Sequence, residues 1–475
     1  MKTSLYIGGQ WKDASDGSSF PVIDPSNEQV LAEVASATSV DVNEAIDVAY
    51  KAGQEWAKTS PRERADILMR SWELLNQRKQ EIAEYIVKEN GKAMPDALSE
   101  AGYAIEFYRW YAEETVRNYG EILNSPSGDK KIMAIRQPIG LSVLVTPWNY
   151  PAAMATRKIA PAIGAGCSVI LKPASDTPLT ALLIADIMEQ AGVPAGVVNV
   201  LPSRSSGAVV SQMLHDSRVR KLSFTGSTEV GRILLREASD CIVNCSMELG
   251  GNAPFLVFDD ADIDDAVAGA MIAKMRNGGE ACTAANRFYV HKKVADEFSE
   301  KFAAAMQALK VGPGLDPTVQ LGPMVNAQAI EDISRLVNDA KDKGAEPLCG
   351  GEPIDSIGFY YPPTVLAKVN KDCNILKEEI FGPVAPIVTF EDDDEAIHAA
   401  NDTEYGLISY LYTSNLARGL KVSEKLDAGM IGLNRGMVSD PAAPFGGVKQ
   451  SGLGREGSHD GLHEYMEKKY ISLNW

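Results

Sequence analysis

The feature that most limits what this chain can fold into is a rhythm that begins at Leu141. Short apolar runs, LSVLV, SVILK, VVNVL and KLSFT, with PFLVF following after CIVNC, alternate with helix-forming stretches at intervals of roughly 25 to 30 residues. A parallel strand cannot rejoin its neighbour through a tight turn; it needs a crossover, usually a helix. Strands buried on both faces also read as unbroken apolar runs, as these do. The rhythm therefore predicts an α/β architecture with a doubly wound parallel sheet. A second α/β region is expected over about 250–445, with helices over 264–275, 294–309 and 330–343.

At 475 residues the chain exceeds what one hydrophobic core usually supports, so two domains are expected. Upstream of the rhythm, Ser60-Pro61-Arg62-Glu63 reads as a capping box with proline at the first helical position, and Ile67, Leu68, Leu74 and Leu75 follow at helical spacing. Gly91 is the expected stop for the helical stretch through Ile82 and Ile86. KIMAIR, 131–136, alternates like a hairpin strand, and EKKYISLNW closes the chain with a strand-like end.

The formal charge of −18 leaves no global basic surface, which argues against nucleic-acid and anionic-membrane partners. An anionic substrate would then need local arginines. The amino-terminal MKTSLYIGGQW lacks the pattern of a secretory signal, and no apolar run reaches a membrane span, so a cytoplasmic protein is expected. Six cysteines without a C-x-x-C pair argue against a disulfide framework or a metal site.

Four stretches could carry chemistry, and each has a plainer reading. Phe224-Thr225-Gly226-Ser227 ends a strand and opens a helix, where free N–H groups and the positive helix end suit a phosphate; tight turns also carry glycine for packing alone. Cys282, in NGGEACTAANRF, sits among small residues that let a ligand approach, although most cysteines are inert core. Glu248, in MELGG, is a carboxylate in an apolar, glycine-rich segment, where burial would lift it toward a general base; it could equally cap a helix or pair with a cation. Asn149, in TPWNYP, could donate its amide to a developing oxyanion or merely satisfy a turn.

Taken together and in order, TPWNYP, LKPAS, FTGS, MELGG, GGEACTAANRF, EEIFGP and PFGGVKQSGLGREG resemble the aldehyde dehydrogenase superfamily over nearly the whole chain. The resemblance implies a Rossmann-type cofactor domain (1–120 and 139–248), an α/β catalytic domain (249–445) and bridging strands (121–138 and 460–475) that mediate homodimers or homotetramers. It implies that Cys282 is the nucleophile, Glu248 the base that activates water, and Asn149 with the Cys282 N–H the oxyanion hole. Nicotinamide dinucleotide contacts would fall to Thr146, Trp148, Lys172, Ser175, Gly226, Ser227, Leu249, Glu379 and Phe381.

Within that superfamily the chain looks most like the succinate semialdehyde dehydrogenases, in which two arginines and a serine hold the substrate's distal carboxylate. The matching positions are Arg157, Arg276 and Ser439. Guanidiniums converging on a carboxylate reconcile an anionic substrate with an acidic protein. Other readings are glutarate semialdehyde or an uncharged aliphatic aldehyde as substrate. Some members carry a second cysteine near the nucleophile; here that stretch reads ACTAAN, so no local disulfide switch is expected. Ser175 stands where NAD-preferring relatives often have glutamate, which implies that NADP is accepted and preferred, with NAD as the second cofactor.

Overall fold

The computed structural model describes residues 1–474; Trp475, the last residue of the expected closing strand, lies outside the described residues. The apolar runs become the strands Leu141–Val145, Val169–Lys172, Val198–Val200 and Val219–Thr225. They pair in parallel, and their side chains are buried almost without exception. In the eight-stranded first sheet Leu141–Val145 lies inside, the next two strands extend one side of it, and Val219–Thr225 crosses back to the other.

One expected assignment shifts, and one strand comes unannounced. The strand after Val219–Thr225 is Asn244–Glu248, which the apolar rhythm did not announce; its register against Lys221 to Thr225 lets Glu248 end the strand at the carboxyl edge of the sheet. PFLVF forms Ala253–Val257 but belongs to the second sheet, between Ala285–His291 and Ile408–Tyr412. That second sheet has seven strands and is also largely parallel. Since Glu248 closes one sheet and Ala253 opens the next, the carboxyl edge of the first sheet meets the amino edge of the second through a very short connection.

Helix ends follow local chemistry. Ser60 caps Pro61–Gln77 by accepting from Glu63 N–H at 3.2 Å, but the complete reciprocal box lies earlier, at Thr38 and Asp41. Gly91 ends Lys79–Asn90 in the left-handed conformation at φ 93°, and a β-carbon there would crowd Pro323. Helices Ile263–Met275, Ala295–Gln307 and Ala327–Asp342 occupy the expected places. The helix Pro151–Ala165 is buried on every side, which explains its apolar sequence and makes its two charges, Arg157 and Lys158, conspicuous.

Outside both large sheets, Met466–Leu473 pairs antiparallel with Lys131–Pro138, which in turn pairs with Glu121–Asn124. Ile122, Leu123 and Tyr470 of this small sheet are exposed. No helix among the described residues is long and apolar enough to cross a membrane.

Candidate active site

The winding of the first sheet reverses between Leu141–Val145 and Val219–Thr225, so the loops leaving those neighbouring strands part and open a crevice at the carboxyl edge. Trp148 and Asn149 follow one strand and Gly226 and Ser227 the other. The second sheet closes the crevice with the segment ahead of Ala285–His291, which carries Cys282. Between them lies a cavity of about 390 Å³ whose wall includes Cys282, Asn149, Arg157, Arg276 and Ser439.

Local backbone strain presents the thiol. Asn277, Gly278 and Gly279 adopt left-handed φ values of 54°, 59° and 80° in succession. A β-carbon at Gly279 would lie 2.2 Å from the Gly382 carbonyl oxygen, so only glycine fits. The Asn277 amide donates to the Asn149 carbonyl at 3.0 Å and to the Glu280 carbonyl at 2.9 Å. Asn149 Nδ2 donates to that same Glu280 carbonyl at 3.0 Å, which leaves its second amide hydrogen unused. The Cys282 N–H has no protein acceptor among the described residues. Lys92, ion-paired with Glu100, donates to the Asn149 carbonyl at 2.7 Å, and Glu100 caps Pro151–Ala165 through Ala152 N–H at 2.9 Å. Desolvation pushes the Cys282 thiol up to about 12, against the pull of Arg157.

Glu248 stands at the end of its strand and does not itself line the cavity. It is buried beside Gly446, where a β-carbon would come within 2.9 Å of its Oε1, and its Oε2 has no partner among the described residues. Burial, then the negative charge of Glu456, holds its carboxyl well above the usual range. Glu456 also answers the conspicuous charges of Pro151–Ala165: both Arg157 and Lys158 are ion-paired to it. Against desolvation, the two cations keep Glu456 below its ordinary value.

The two arginines differ. Arg157 is spent on Glu456 and lies 4.3 Å above the Phe445 ring. Arg276 touches the Met437 sulfur and donates to Thr283 Oγ1 at 2.9 Å, with no carboxylate paired to it among the described residues. Burying a guanidinium without a carboxylate is costly, so this charge makes the cavity wall suited to an anion.

The expected cofactor residues are spread along the same edge. Trp148 and Phe381 meet edge to face with ring centroids 5.5 Å apart. With Ser227 and Glu379 they line both the thiol cavity and an adjoining one of about 620 Å³. Leu249 lines the first cavity. Gly226 leaves room that a β-carbon would lose to the Phe224 ring at 2.5 Å, and Ser227 caps Thr228–Asp240, leaving its first N–H groups open to an anion. Glu379 accepts from Gly251 N–H at 3.2 Å, and burial pushes it up to about 7. Thr146, Lys172 and Ser175 line neither cavity. Thr146 is buried and donates its N–H to the Lys172 carbonyl. The Lys172 ammonium donates to Ser206, and burial brings it down to about 8, while Ser175 is half-buried in the loop that follows. These groups suit an elongated, negatively charged nucleotide running along the crevice.

Sequence reasoning did not single out Glu456, Lys92, Glu100 or Lys274, a buried lysine that burial brings down to about 7 near Glu379. The signal for Glu456 was available: two adjacent cations on an otherwise apolar, buried helix require a counterion.

A strained turn presenting a thiol, two unused N–H donors beside it, a buried carboxyl nearby and a nucleotide-sized crevice define a covalent-catalysis α/β enzyme. The model of the aldehyde dehydrogenase family matches residues 11–471, and the chain belongs to that family. It is 53% identical to the succinate-semialdehyde dehydrogenase of Paenarthrobacter nicotinovorans, over 94% of this chain and 99% of that one. It is 45% identical to the glutarate-semialdehyde dehydrogenase of Pseudomonas putida, over 100% of this chain and 98% of that one. Among solved structures, an Escherichia coli NADP-dependent enzyme superposes with a TM-score of 0.98 at 44% identity, over 100% of this chain and 98% of that one.

Proposed function

We infer that this chain oxidises succinate semialdehyde to succinate with an NAD(P) cofactor. The observation that carries the substrate is the cavity in which Arg276, without a carboxylate partner, faces the same space as Cys282, Arg157 and Ser439. The cofactor reading is supported by the glycine-cleared turn at Gly226, the open amino end of Thr228–Asp240 and the buried Lys172 and Glu379. Ser175, short and neutral, leaves room for a 2′-phosphate, and NADP is the preferred form in this reading. Lys172 and Ser175 would hold the adenosine ribose, Gly226 and Ser227 the pyrophosphate, and Glu379 the nicotinamide ribose, with Thr146, Trp148, Leu249 and Phe381 shaping the channel.

The residues then divide the work. The Cys282 thiol gives up its proton to solvent, Sγ adds to the aldehyde carbon as thiolate, and the spare Asn149 and Cys282 N–H donors take up the alkoxide charge. When bound, the oxidised nicotinamide supplies a positive charge beside the thiol and accepts the hydride. The acyl group left on Cys282 as a thioester is cleared by water that Glu248 deprotonates, so one difficult oxidation becomes two easier steps. A carboxyl held well above its usual range suits that base.

In this reading 1–120 and 139–248 bind the cofactor, 249–445 carries the chemistry, and 121–138 with 460–475 bridges copies into a cytoplasmic homodimer or homotetramer. The exposed Ile122, Leu123 and Tyr470 support the bridging role. Initial rates of NADPH formation with succinate semialdehyde, glutarate semialdehyde and butyraldehyde test the substrate. With charge-assisted bonds of about 1.5–3 kcal/mol each, succinate semialdehyde should exceed butyraldehyde by roughly 100-fold in kcat/KM. Equal efficiency would overturn the reading. The relative named for glutarate semialdehyde makes one methylene more the second reading, and a higher kcat/KM for that aldehyde would select it.

A further inference from the structure

Tyr103, on the helix Met94–Thr115, and Tyr150, just ahead of Pro151–Ala165, both line the thiol cavity. Their hydroxyl oxygens are buried against guanidiniums, Tyr103 toward Arg157 and Tyr150 toward Arg276, and neither hydroxyl proton has an acceptor among the described residues. Tyr111 is also without a hydrogen-bond partner among the described residues, but it does not line that cavity. A neighbouring phenol, Tyr410, shows the usual solution for a buried hydroxyl: it donates to the Thr283 carbonyl at 2.9 Å.

The surroundings specify what the two hydroxyls lack. The Tyr150 ring lies between Lys92 Nζ, 4.2 Å from its centre, and Arg276 Cζ, at 5.9 Å. Desolvation raises the Tyr103 hydroxyl, and Arg157 and then Arg276 pull it back, so it stands near both guanidiniums. Guanidinium and ammonium groups only donate, and they cannot accept from a phenol. A group that satisfies the phenols and the arginines at once must accept from both, and a negative acceptor also balances the Arg276 charge. A carboxylate offers about four lone-pair sites, more than one guanidinium fills.

We propose that the hydroxyls of Tyr103 and Tyr150 donate directly to the distal carboxylate of the semialdehyde and, with Arg276, select a charged over an uncharged aldehyde. The proposal rests on the substrate reading above, which places that carboxylate among Arg157, Arg276 and Ser439. Arg276 supplies the principal charge, since Arg157 already answers Glu456.

The test uses the full-length enzyme with NADP, as Tyr103→Phe, Tyr150→Phe and the double variant, which keep the rings and remove only the hydroxyls. KM for succinate semialdehyde should rise about tenfold per hydroxyl with kcat largely kept, and succinate should weaken as a competitive inhibitor by the same factor. KM for butyraldehyde should stay within about twofold of the parent. A double variant with an unchanged KM for succinate semialdehyde overturns the proposal. So does an equal rise for both aldehydes, which marks a merely structural role. Arg276→Leu in the same assay separates the two levels. If the parent shows no preference for the charged aldehyde, or Arg276→Leu leaves that preference intact, the substrate reading itself fails; if Arg276→Leu abolishes it and the double Phe variant does not, only the tyrosine proposal fails.

Discussion

Two sets of buried polar groups lie side by side, one behind the thiol cavity and one along its wall, and they are built on opposite principles. In the knot formed by Arg157, Lys158 and Glu456, every charge is answered by the protein. Along the cavity wall, among the described residues, Arg276 has neutral partners but no carboxylate, the Cys282 N–H and the second amide hydrogen of Asn149 have no acceptor, and Glu248 Oε2, just behind it, has no partner. Closed networks of this kind hold a fold together, whereas open ones incur a standing cost that only a ligand removes. The difference tells architecture from site without reference to any relative.

Substitutions can break that contrast from either side. Removing the base, Glu248→Gln, should lower steady-state kcat by roughly 10³-fold through deacylation while leaving Tm nearly unchanged. The kcat of the parent should grow as pH rises, because a carboxyl held above its usual range must lose its proton to act. A flat pH–kcat profile in the parent would remove Glu248 from the rate-limiting step. Opening the closed knot with Glu456→Ala should instead cost about 3–5 kcal/mol of stability, read as urea or thermal unfolding, because two buried cations lose their counterion. A Tm within about 2 °C of the parent would show the knot to be dispensable.

Smaller effects sharpen the picture. Arg276→Leu removes a charge that no carboxylate balances, so Tm should hold or rise slightly while KM for succinate semialdehyde climbs roughly 10- to 100-fold. A loss of stability comparable to Glu456→Ala would place Arg276 with the architecture after all. Last is Glu280, whose carbonyl holds Asn149 while its buried carboxyl is pushed up to about 8. Its folded value exceeds the unfolded one, so its contribution to stability is full below about pH 4.5 and is lost as pH rises through about 8. Glu280→Gln should flatten the fall of Tm over that window with little change in activity; an unaltered slope would assign the dependence to other groups.

Much of the fold was legible because parallel strands buried on both faces must be apolar throughout. The strand Asn244–Glu248 was not legible because NCSME is too polar to read as a buried run, and only its pairing with Val219–Thr225 sets its place. Leu5–Ile7 and Gln10–Lys12 join the far side of the first sheet by contacts that no local pattern announces. At the site, Gly226, Gly250 and Cys282, each in a glycine-marked stretch of the sequence, all line the one cavity. Glu456 lies 298 residues from Lys158, and Lys92 reaches Asn149 across 57, so their partnerships are properties of the fold alone.

The most direct test of the central claim, that the substrate is oxidised while bound to Cys282 and released by Glu248, is to trap the intermediate. Glu248→Gln enzyme mixed with succinate semialdehyde and NADP should release about one equivalent of NADPH per site in a burst and then stall. Peptide mass mapping should then place a single succinyl thioester on Cys282. Full steady turnover without a burst, or an acyl group on any of the other cysteines, would contradict the account.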